Sequence, residues 1–164
     1  MSDTATPLPT PAPTRPDALW LDDLETGATY TTGTYELTTE NIVAFASEFD
    51  PQPFHLDAEA ARGTFFDGLV ASGWHTAAVT MRLIATSDAA FATGIVGAGG
   101  ELAWPSAAVP GDVLHVELTI GEIRRSSSRP NRATVEVRHQ TVNQHGEVRQ
   151  RTSARLLAWD RPTA

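Results

Sequence analysis

A chain of 164 residues with 41% hydrophobic content is long enough for one domain with its own core and too apolar to be disordered throughout. Its formal net charge of −8, without a basic run, argues against a nucleic-acid partner. The absence of cysteine excludes disulfides, thiolate metal sites and a cysteine nucleophile, and no apolar stretch approaches the ~20 residues that span a bilayer.

Residues 1–17 hold five of the eleven prolines and little to bury, so they are expected to form an extended or disordered tail. The folded domain is expected over 18–161, starting near Leu19-Trp20-Leu21. The acidic, proline-rich start has no charged-then-apolar signal pattern, and together with the missing cysteines it reads as cytoplasmic. Residues 28–38, rich in Thr and Tyr, predict a strand. A helix follows: Thr38 or Thr39 can cap it, and Glu40 suits the positive end of its dipole. Ile42, Val43, Ala46 and Phe49 recur at helical spacing, and Pro51 ends the helix near Asp50. Residues 56–63 suggest one or two more helical turns, ending at Gly63.

The longest helical candidate covers residues 73–87. It is apolar almost all round, with Arg82 its one charge, and so predicts a helix buried against something large. Residues 94–109 form a broken, glycine-containing run. Residues 112–127, 132–144 and 147–159 then alternate apolar and polar side chains as long strands do. "SSRPN", residues 127–131, and "NQHG", residues 143–146, are turn signals between them. Helices segregated from an antiparallel sheet define α+β, with the sheet curled around one helix.

The stretch "SEFDPQPFHLD" holds an aspartate and a histidine, Asp50 and His55, five positions apart on a connection stiffened by Pro51 and Pro53. Such a pair could hold one water and move its proton. The same spacing also suits a turn capped by Asp50 with His55 on the surface. Gly73 opens the apolar helix, where backbone N–H groups lack partners and a ligand oxygen can approach closely. Ser72 could instead cap the helix, with Gly73 present for close packing. "VASGW" lacks the elbow pattern of an activated serine. His75 reads as a packed core residue, His115 and His139 lie in strands, and His145 lies in a turn. No metal-binding histidine spacing occurs. Arg124, Arg125, Arg129 and Arg132 read as a solvated hairpin end.

"FDPQPFHLD" resembles the hydratase motif of the MaoC-like dehydratases, G-D-x-N-P-x-H, at Asp50, Pro53 and His55. Phe49 stands in place of its glycine and Gln52 in place of its asparagine. "GLVASGWHT", with Gly73 eighteen residues after the histidine, is similar to the start of the family's central helix. "LAWPSAAVPGDVL" resembles the strand and PGD turn that follow, and the likeness covers roughly residues 19–160. The resemblance implies a hotdog fold, a long antiparallel sheet wrapped on one helix, usually paired as a homodimer. It implies (R)-specific hydration of trans-2-enoyl-CoA thioesters to 3-hydroxyacyl-CoA, or the reverse dehydration. Asp50 and His55 would be the acid/base pair and the Gly73 N–H the donor to the thioester oxygen, with Gln52, Ser72 and Trp74 beside the substrate. No metal or redox cofactor is implied, and an acyl-CoA or acyl-carrier thioester enters as substrate. Two other readings share the fold: a subunit that binds acyl thioesters without turnover, and a thioesterase. The absence of Asp and Glu from residues 73–87 argues against the thioesterase.

Overall fold

The computed structural model describes residues 13 and 15–162, so most of the segment expected to be a tail lies outside the described residues. At its inner end the Arg15 guanidinium donates to the carbonyl oxygens of Ala85 and Ser87, at 3.3 and 2.9 Å. A cation suits those carbonyls, which close the longest helix. Leu19 forms a parallel bridge with Phe91: its N–H donates to the Ala90 oxygen and its oxygen accepts from Ala92 N–H, both at 2.8 Å.

The strand expected over 28–38 is divided into β1 (Thr29–Thr31) and β2 (Tyr35–Glu36), both antiparallel to β4 (Val113–Arg125). Thr32 bridges the break. Its N–H donates to the Val116 oxygen, and its hydroxyl accepts the Val116 N–H, both at 3.0 Å. A side-chain oxygen thus stands in for a ladder carbonyl where the strand is interrupted between β1 and β2.

Helix α1 (Thr39–Phe49) begins at the Thr38 cap, whose hydroxyl accepts from Asn41 N–H while the Asn41 amide oxygen accepts from Thr38 N–H. Asn41 fills the reciprocal role usually taken by Glu or Gln. Ile42 and Ala46 are buried, but Phe49 is 64% exposed and leans on Phe45 at a centroid distance of 5.1 Å. The expected apolar face therefore stops one turn early. The following helix, α2 (Pro53–Leu56), has Pro53 in its first turn, where a missing N–H costs nothing. Residues 58–63 form turns rather than the expected helix, because Asp57 leaves helical geometry (φ −151°, ψ 133°) and its carboxylate caps Ala60 N–H at 2.8 Å.

Helix α3 (Gly73–Ala85) lies against β4 and β6 (Val148–Trp159). His75, Thr76, Val79, Thr80, Leu83 and Ile84 are buried, but Trp74 and Met81 are exposed on the other side. The helix is thus buried against the sheet, as its composition predicts, but it is covered on one face only. The strands β3 (Val96–Ala103), β4, β5 (Arg132–Val142) and β6 form an antiparallel sheet in the order β1-β4-β5-β6-β3, with β2 also on β4. The hairpin between β5 and β6 turns on Asn143, whose side-chain oxygen accepts from His145 and Glu147 N–H, with Gly146 at φ +80°. The buried Leu114, Val116, Leu118 and Ile120 of β4 and Val135 and Val137 of β5 join α1 and α3 in one core. This is the α+β architecture expected. Among the described residues no helix is long and apolar enough to cross a membrane.

Candidate active site

Asp50 ends α1 with its backbone N–H still bonded to the Ala46 oxygen, at 2.9 Å. Its side chain is held from two directions. The Gln52 amide donates to Oδ1 at 2.7 Å and the Ser72 hydroxyl to Oδ2 at 2.6 Å. Burial pulls the Asp50 carboxyl upward, but those two donors and the charge of His55 outweigh it and hold the group below its ordinary value. Asp50 is therefore an ionised acceptor at neutral pH.

His55, on α2, is buried. Its Nδ1 lies 2.8 Å from the Val70 carbonyl oxygen, and a carbonyl only accepts, so Nδ1 carries the hydrogen. This leaves Nε2 as the nitrogen free to exchange a proton, and it faces Asp50 Oδ2 at 3.3 Å. The Val70 carbonyl thus fixes the tautomer and aims the ring at the carboxylate.

Ser72 is the N-cap of α3. Its oxygen accepts from Trp74 N–H at 3.2 Å while its hydrogen goes to Asp50. One hydroxyl therefore joins the helix start to the carboxylate. Among the described residues the Gly73 N–H donates to no acceptor, as befits the first residue of a helix. A Cβ at Gly73 would stand 2.7 Å from the indole Cε2 of Trp104, so close packing demands glycine here.

Asp50, His55 and Gly73 line one cavity of ≈ 360 Å³, together with Gln52, Trp74, Phe54, Phe66, Thr76 and Trp104. Of the six residues singled out from the sequence, five share this cavity. Ser72 is 1% exposed and bonds to Asp50 without lining the cavity itself. Phe49 does not line it either. Three larger hollows among the described residues, of ≈ 800, ≈ 940 and ≈ 500 Å³, lie along the sheet among Glu and Arg side chains and contain none of these residues. Of the remaining histidines, His75 stacks on Phe45 at 4.7 Å, and burial pushes it down. Burial pushes His139 down to about 4. In both, Nδ1 is buried without a partner among the described residues. Arg124 and Arg125 are ion-paired with Glu122 and Asp160.

Sequence reasoning missed the Val70 carbonyl, the Ser72–Asp50 bond and the Trp104 indole. Trp104 carried one usable signal, an aromatic residue immediately before a proline near the end of a strand.

A long antiparallel sheet laid against one glycine-opened helix, with an Asp–His pair beside that opening, defines the class: the protein is a hotdog-fold protein. The model of the MaoC-like domain family matches residues 23–143, and the chain belongs to that family. A MaoC-like dehydratase of known structure from Rhodospirillum rubrum is 53% identical, with a TM-score of 0.86 over 88% of this chain and 99% of that one. The (R)-hydratase PhaJ1 of Pseudomonas aeruginosa is 27% identical, with a TM-score of 0.67 over 87% of this chain and 86% of that one. YdeM, an uncharacterised protein of Bacillus subtilis, is 38% identical over 63 residues. That match spans 38% of this chain and 45% of YdeM.

Proposed function

We propose that the protein adds water to trans-2-enoyl thioesters to give (R)-3-hydroxyacyl thioesters, or catalyses the reverse dehydration. The observation that carries the reading is the meeting of Asp50 and His55 Nε2 at 3.3 Å in a cavity that the unpaired Gly73 N–H also borders. The (R) configuration is taken from the P. aeruginosa relative, which is named an R-hydratase.

The steps follow from these positions. A water held beside the Asp50/His55 pair bonds through its oxygen to Cβ of the enoyl group. The C=C π pair shifts, leaving an enolate whose charge gathers on the thioester oxygen. The Gly73 N–H and the start of α3 stabilise that oxygen; losing one such donor elsewhere costs about 2.7–4 kcal/mol. The water's proton passes to the Asp50/His55 pair, and the pair returns a proton to Cα as the thioester carbonyl re-forms. Protons and electrons balance without a redox or metal cofactor, so the thioester of coenzyme A or of an acyl carrier enters only as substrate.

A homodimer belongs to the same proposal. What supports it is the unpartnered edge of β3, exposed along all eight of its residues.

The test is loss of crotonyl-CoA absorbance near neutral pH. The native chain is expected to hydrate it, and Asp50→Asn and His55→Ala each to lose about 100-fold or more, the low end of acid–base contributions. Equal rates in all three proteins would leave a non-catalytic thioester-binding subunit as the better account.

A further inference from the structure

The cavity lies near the low end of the roughly 300–1,000 Å³ range of small-molecule pockets. One of its walls is Trp104, whose indole is held by packing and by a hydrogen bond. The fused bond of the indole rests on Gly73: a Cβ there would meet Cε2 at 2.7 Å and Cδ2 at 2.8 Å. At its edge, Nε1–H donates to the Gln150 amide oxygen at 3.1 Å. Gln150 is 1% exposed and its own amide donates to Thr152 Oγ1 at 3.2 Å. The Trp74 ring meets Trp104 edge-on, 5.3 Å away at 82°. Swinging the indole aside would strand the Gln150 oxygen in the interior, and a buried acceptor without a donor is costly.

Gly73 is also where the proposed reaction puts the thioester oxygen. A rigid indole in van der Waals contact with that glycine therefore stands beside the reacting carbonyl and the acyl carbons next to it. Several other lining side chains are as small as Ala71, Ala107 and Ala108. We infer that Trp104 is the specificity-determining residue of this site, restricting it to small acyl groups and excluding long or α-branched ones. The inference rests on the hydratase reading for the placement of the carbonyl, and on the packing of Trp104 against Gly73 and Gln150 for the wall itself.

The experiment compares kcat/KM for crotonyl-CoA, trans-2-octenoyl-CoA and 2-methylcrotonyl-CoA in the native chain and in Trp104→Phe, Trp104→Leu and Trp104→Ala. Pocket space worth one methylene changes selectivity by about 10-fold or more. The native chain is expected to favour crotonyl-CoA. Trp104→Leu and Trp104→Ala are each expected to raise the bulky-to-small ratio by about 10-fold or more for at least one bulky substrate. Trp104→Phe, which keeps a ring against Gly73, should shift it less. Ratios unchanged within about 2-fold in a folded Trp104→Leu variant would overturn the inference. Binding of the saturated thioesters butyryl-CoA and octanoyl-CoA by calorimetry reads the wall without turnover. If the native chain hydrates none of the enoyl thioesters, the hydratase reading fails. The Kd ratio, altered or unaltered by Trp104→Leu, then still decides for or against the wall.

Discussion

Ser72 shows how one side chain sets the electrostatics of the proposed site. Its hydroxyl gives a hydrogen to Asp50 Oδ2 and takes one from Trp74 N–H, so it lowers the carboxyl and caps α3 together. Ser72→Ala removes both effects. Losing the cap is expected to cost about 1 kcal/mol, readable as a lower urea midpoint. Losing the donor raises the folded-state value of Asp50. A carboxylate required in its ionised form is then lost at higher pH, so the acidic limb of the kcat/KM profile is expected to move up. Ser72→Thr keeps a hydroxyl and should leave that limb near its native position. A limb that stays put in Ser72→Ala would mean that Asp50 is not the ionised group the reaction needs. This coupling was not legible beforehand. Asp50, His55 and Gly73 stand in short stretches whose residue types and spacing carry meaning. The Ser72–Asp50 bond instead joins residues 22 apart, and the wall at Trp104 lies further along still; contacts made only by folding leave no local pattern.

At the scale of elements, the cavity wall is pinned by a buried ion pair. Arg149 of β6 donates to both oxygens of Asp112, at 2.8 and 3.1 Å, and to the Ser106 hydroxyl at 3.0 Å; Ser106 lines the cavity. Asn143 Nδ2 adds a bond to Asp112 at 2.9 Å. Burial alone would raise Asp112. The hydrogen bonds from Arg149, Asn143 and Val109, with the Arg149 charge, win and hold it below the ordinary carboxylate value. A folded-state value below the unfolded one gives stability that is complete above about pH 4–5 and lost as pH falls through the folded value. Arg149→Met leaves a buried carboxylate unpaired and is expected to cost about 3–5 kcal/mol in urea unfolding at pH 7. The loss caused by Asp112→Asn should shrink as the measurement is taken down toward pH 3. A pH-independent difference would show that the pair adds nothing through its charge. The alternation in β4, β5 and β6 made those strands readable, since one face of each is buried. The bulges were not readable. Gly100 sits at one because a Cβ would meet the Ser153 carbonyl oxygen at 2.6 Å, a contact set by the neighbouring strand.

For the whole molecule, the open question of assembly concentrates on β3. It ends the sheet, and its free edge lies close to exposed apolar side chains: Val96 and Leu102 on the strand, Trp104 just past it, and Trp74 of α3, whose ring meets Trp104. A long unpaired edge with apolar neighbours invites another strand, and native sheets otherwise blunt such edges with lysine, proline or a covering element. Here the only charge on β3 is Glu101. α3 is apolar almost all round, yet one of its faces is bare in the single chain; the proposed second copy would cover that face. Light scattering after gel filtration is expected to give twice the 17.6 kDa chain mass. Leu102→Lys places a charge on the edge and should shift the mass toward one chain. Because Trp74 and Trp104 also border the cavity, the shift should be accompanied by a higher KM rather than by loss of the Asp50/His55 chemistry alone. A native chain that stays monomeric at micromolar concentration, with unchanged kinetics in Leu102→Lys, would show that β3 tolerates its open edge.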